Sequence, residues 1–91
     1  MTELEEQLYA KGVDVKALME NATVTQAIED ISSALKDAMA ATNPAEADKR
    51  EAYYYTHRGL LELVALLNNY MAVKEQLDAD IEAQDDLFAD D

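Results

Sequence analysis

The 91-residue chain has no cysteine and no tryptophan, and only one proline, two glycines, one phenylalanine and one histidine. Each shortage removes a class of explanation. Without cysteine there are no disulfides and no thiolate zinc sites. A lone His57 makes a histidine-based metal site within one chain untenable. With so little Gly and Pro and so much Ala, Leu, Glu and Asp, the composition is that of helices. No apolar run approaches the ~20 residues of a membrane span. The opening "MTELEEQLYAKG" lacks the basic-then-apolar order of a signal peptide, so a cytoplasmic origin is expected. A chain this short buries a modest core. With cross-links and metals gone, oligomerisation or docking onto a partner remains as the source of further stability.

Bases are also scarce. There are 7 Lys and Arg against 20 Asp and Glu, a net charge of −13. Such a chain is not drawn to phosphate backbones, and direct nucleic-acid binding is not expected. The charge is uneven: residues 75–91 carry eight acids (Glu75, Asp78, Asp80, Glu82, Asp85, Asp86, Asp90, Asp91) and no base.

What is present is helical periodicity. Thr2 can cap a short helix with Leu4 and Leu8 on one face, and Gly12 is a suitable stop. Asp14 can cap a second short piece with Val15, Leu18 and Met19 as its apolar face. Thr23 and Gln26 have capping-box spacing, and Val24, Ala27, Ile28, Ile31, Leu35, Ala38 and Met39 recur at threes and fours. Asn43 and Pro44 read as the cap and first residue of the next helix. From Ala45 nothing breaks the pattern until the tail. The fold expected is therefore all-α: short N-terminal helical segments over 1–22, a helical hairpin over 23–83 with a long second helix, and an acidic tail over 84–91.

On the long helix Tyr53, Leu60 and Leu67 stand seven apart, interleaved with Thr56, Leu63, Tyr70 and Leu77, a heptad seam. A second stripe holds Ala52, Tyr55, Leu61, Val64, Ala65, Met71 and Val73. One partner helix over 24–41 cannot cover so wide a face, so other chains are expected to. The triple Tyr53-Tyr54-Tyr55 fits that view. Successive helical residues point ~100° apart, so at least one ring leaves the chain's own core. Tyrosine suits interfaces because it buries area and keeps a polar tip. Tyr53, Tyr54, Tyr55, Leu60, Leu63, Leu67 and Tyr70 are the interface residues expected from sequence.

Other chemistry finds little footing. No Ser, Cys or second His is placed by the sequence to pair with His57 as nucleophile and base, so no enzyme is expected. A calcium loop started at Asp78 would need Gly at Ala83 and Glu at Ala89, and has neither. No cofactor is expected. A protein that imitates DNA through its charge is a further reading, but the acids gather in the tail, and Lys49, Arg50, Arg58 and Lys74 interrupt the long helix.

Two resemblances add to this. "QDDLF" at 84–88 resembles the peptide by which bacterial and phage proteins bind the replicative sliding clamp, with Gln84, Asp86, Leu87 and Phe88 at its defined positions. It implies a docking tail whose Leu and Phe fill an apolar pocket. The stretch 48–77 resembles a pattern in small helical proteins of tailed bacteriophages: Arg50, Glu51 and Tyr54, then Arg58-Gly59 and Leu60-Leu61. That resemblance implies a virion-associated or accessory subunit, in the virion or the infected cell, acting as a homo-oligomer or within a larger phage assembly. The triple tyrosine and acidic tail are not part of that pattern.

Overall fold

The computed structural model describes the backbone of residues 1–89 and the side chains of residues 1–85. It holds three helices: α1 (Glu3–Glu20), α2 (Ala22–Ala40) and α3 (Ala47–Ala89), with no strand among the described residues. The expected all-α class and the long C-terminal helix are both present.

The chain forms two units. The first joins α1 up to Leu18 with α3 from Leu66 onward, and the second spans Met19–Ala65. In the first unit, Thr2 caps α1 reciprocally. The Glu5 N–H donates to Thr2 Oγ1 at 3.1 Å, and the Thr2 N–H donates to Glu5 Oε1 at 3.2 Å. The Thr2 N–H, and then its hydroxyl, hold the Glu5 carboxyl below its ordinary range. The helix then runs straight through Gly12, where the sequence suggested a stop and two short pieces. The reason is packing. A Cβ on Gly12 would strike Lys74 Cβ and lie 2.8 Å from the Tyr70 carbonyl oxygen, so the residue is glycine because α3 passes too close for a side chain. Leu8, Tyr9, Gly12 and Val15 form the inward face of α1, while Leu4 and Leu18 are exposed. Gly12 and Val15 are the buried positions among the described residues.

In the second unit, α2 is capped two residues before the position the sequence suggested. Asn21, not Thr23, is its cap, accepting the N–H groups of Thr23 at 3.0 Å and Val24 at 3.2 Å. Val24, Ile28, Ser32, Leu35 and Met39 are half-buried along α2, and Tyr53, His57, Leu60 and Val64 along α3. The seam on this part of α3 therefore pairs the Tyr53–Leu60 set with His57 and Val64. Thr56 and Leu63, expected in the seam, face outward. The link between the helices is a turn tied to itself. Asn43 Oδ1 accepts the Ala45 N–H at 2.9 Å and Glu46 Oε1 accepts the Asn43 N–H at 3.0 Å. Asn43 and Pro44 thus make a separate turn, and α3 starts at Ala47. Arg50 Nη1 closes the link by donating to Thr42 Oγ1 and the Asn43 carbonyl, each at 3.2 Å.

Candidate helix–helix interface

The interface residues expected from sequence divide into two groups. Tyr53 and Leu60 are half-buried within the second unit, and Leu67 and Tyr70 within the first. Their apolar surface is thus partly used inside the chain. Tyr70 in addition carries Lys11 Nζ 5.7 Å from its ring centroid, a cation–π contact. Tyr54, Tyr55 and Leu63 point outward, at 48%, 61% and 54% exposure. Tyr54 and Tyr55 meet edge to face at 5.6 Å between centroids. Gln84 lies on α3, which runs to Ala89. The rest of the proposed docking peptide, Asp86, Leu87 and Phe88, lies outside the described side chains.

A polar cluster in the first unit was not foreseen. The Tyr9 hydroxyl donates to Asp78 Oδ1 at 2.9 Å, and Lys74 Nζ donates to Asp78 Oδ2 at 2.5 Å. Lys74 Nζ also lies 5.3 Å from the Tyr9 ring centroid. The Lys74 and Tyr9 bonds hold the Asp78 carboxyl below its ordinary value, while both partners are pushed up by the same carboxylate. Asp78 is thus a structural anchor rather than part of a solvated acidic run. The sequence signal was available: Lys74 and Asp78 are four apart, a favourable helical spacing, and Tyr9 falls on the inward face of α1.

The second unit holds another correction. Sequence reading placed no Ser beside His57, yet Ser32 Oγ and His57 Nε2 share a hydrogen bond of 2.9 Å. Ser32 sits at the seam position between Ile28 and Leu35, the place that a heptad count through Ile28, Leu35 and Met39 assigns to it. A nucleophile–base pair also needs an orienting partner for the second ring nitrogen and donors for an oxyanion. The N–H groups neighbouring the pair lie mid-helix, where the backbone ladder uses them. The bond ties the Ser32 turn of α2 to the His57 turn of α3.

The chain matches no known protein family, no curated protein and no solved structure. No helix among the described residues is long and apolar enough to cross a membrane. In the second unit no described side chain is buried. Ile31, Leu61 and Leu63, at 51%, 49% and 54% exposure, stand open on either side of the seam. The sequence reading had Leu61 and Leu63 on the wide α3 face but put Ile31 in the α2 stripe turned inward. Ser32 takes that inward place, and Ile31, one residue earlier, is turned out.

Proposed function

We propose that this protein is a non-enzymatic interaction subunit that completes its core by helix–helix contact with another chain. The observation that carries this reading is the second unit: a two-helix hairpin with no buried side chain and several half-exposed aliphatic and aromatic residues. Hairpins of this size gain little from propensity alone, and helices in proteins depend on tertiary burial for most of their stability. Contiguous exposed apolar surface of this kind marks interaction sites. The resemblance of residues 48–77 to small helical proteins of tailed phages supports a virion or infected-cell setting, as an assembly or adaptor subunit. Light scattering and thermal melting across micromolar concentrations test the proposal. Association, or cooperative melting that strengthens with concentration or on adding a partner, is the expected result. A monomer that melts cooperatively at every concentration would count against it.

A further inference from the structure

We infer that the partner of the α2/α3 hairpin is a second copy of the same hairpin, the two pairing face to face as a four-helix bundle. This rests on the interaction reading above and names its partner. The starting point is which flanks of the two helices lie together. One groove of the hairpin is lined by Glu29, Ser33 and Lys36 from α2 and by Leu61 from α3. At ~100° per residue the opposite flanks then share the other side. On α2 these are Ala27, Ile31 and Ala34; on α3 they are Thr56, Gly59 and Leu63. All six are exposed, and none carries a charge. In a chain of net charge −13, these six form an uncharged strip, bordered beside Ala27 by Asp30.

The face is also self-complementary. The Ser32–His57 bond fixes the level of the antiparallel helices. Counting from it, Ile31 lies within one residue of the level of Gly59, and Ala27 within one residue of Leu63, offsets of ~1.5 Å. Each helix thus offers one bulky residue beside a small one on its neighbour. A two-fold axis parallel to the helices lays α2 of one copy over α3 of the other, antiparallel, with levels preserved. Ile31 of each copy then meets Gly59 of the other, and Leu63 meets Ala27. A Cβ on Gly59 has nothing within 4 Å, so the space over it is open to receive Ile31.

The area suits a weak, reversible pair. Two helices 8–10 Å apart, each about 10 Å across, make a face about 20 Å wide. From Ala27 to Ala38 it is about 17 Å long at 1.5 Å per residue, roughly 350 Å² for each copy. Twice that area lies below the ~1,200 Å² lower bound of standard stable interfaces and among transient ones. A weak pair, dissociated at low micromolar concentration, is expected.

The absence of cysteine makes the test clean. Ile31→Cys and Gly59→Cys copies are mixed under mild oxidation, one carrying a size tag. The mixed dimer should form at least tenfold faster than cross-links within either variant alone. Sedimentation then compares Ile31→Glu with Leu61→Glu, which alters the other flank at similar exposure. Ile31→Glu should raise the dimer dissociation constant more than tenfold, with Leu61→Glu changing it less than twofold. Equal effects of the two, or no preference for the mixed cross-link, overturn the proposed pairing. A wild-type monomer up to ~500 µM whose α2 amides exchange freely overturns self-pairing and leaves the interaction reading standing. A monomer with a protected, cooperatively melting hairpin removes both.

Discussion

The two glycines provide opposite tests of the same packing. Gly12 and Gly59 both lie inside helices, where replacing Gly by Ala gains ~1 kcal/mol of helix propensity. At Gly59 the new methyl meets open space, so the full gain of about 1 kcal/mol is expected in the isolated chain. That corresponds to a rise in Tm of about 4–8 °C for a domain of this size. At Gly12 the methyl collides with Lys74 Cβ and the Tyr70 carbonyl oxygen, neither of which is a flexible chain end. Overpacking of this kind costs about 1–3 kcal/mol, which outweighs the propensity gain and leaves a net loss of about 1 kcal/mol. Gly12→Ala should therefore lower Tm by several degrees. Circular-dichroism melts at ~1 µM, below the expected dimer range, measure both variants against wild type. If Gly12→Ala stabilised the protein as much as Gly59→Ala, the close approach of α1 to α3 would be refuted. Melts at ~500 µM add a second sign. There Gly59→Ala fills the space reserved for Ile31 of the second copy, so its advantage should shrink or reverse.

Further outcomes follow from the polar clusters and the charge. Asp78 is held below its ordinary value of 3.8, so its contribution is present above about pH 4 and is lost as pH falls through its folded value. Tyr9 and Lys74 are held above 10.0 and 10.5, so theirs is present below about pH 10 and lost as pH rises further. Urea midpoints against pH should fall on both limbs. Asp78→Asn should flatten the alkaline limb and reduce the acid one, leaving on the acid side the share due to Glu5 and Glu46, also held low. Unchanged limbs in Asp78→Asn would contradict the cluster's role. Because the paired face is uncharged while each chain carries −13, screening should tighten self-association. Sedimentation between 20 mM and 500 mM NaCl should show a lower dissociation constant at high salt, and weakening by salt would argue against an apolar contact. For the "QDDLF" segment, a pull-down with sliding clamp compares wild type with Leu87→Ala and Phe88→Ala. Loss of capture in the variants supports a docking tail, and equal capture or none removes it.

The helical class, the long C-terminal helix and the α2/α3 hairpin were legible because their signals are local: 3–4 spacing and the break around Asn43-Pro44. The helix count was not, because the two N-terminal pieces are one helix, α1. What was not legible depended on which helix lies alongside. Gly12 looks like a terminus in isolation, and only the nearness of α3 turns it into a packing position. The choice between Leu63 and Val64, or between Ile31 and Ser32, is a rotation of about 100° that no single helix determines. The Ser32–His57 bond decides it across two helices. Asp78 read as one member of an acidic run because its partner Tyr9 is 69 positions away. The sequence assigned the wide apolar face of α3 one partner helix in this chain and left the rest to other chains. In the structure α3 has a second intramolecular partner, packing with α1 from Leu66 onward, and exposed apolar side chains remain in both units.

The most direct measurement is backbone amide exchange in α2, from Ile28 to Met39, as a function of protein concentration, with Gly12–Met19 of α1 as internal reference. If the hairpin completes its core against a second copy, α2 protection rises from ~1 µM to ~500 µM while that of α1 stays constant. Strong α2 protection at all concentrations, equal to that of α1, would contradict the account.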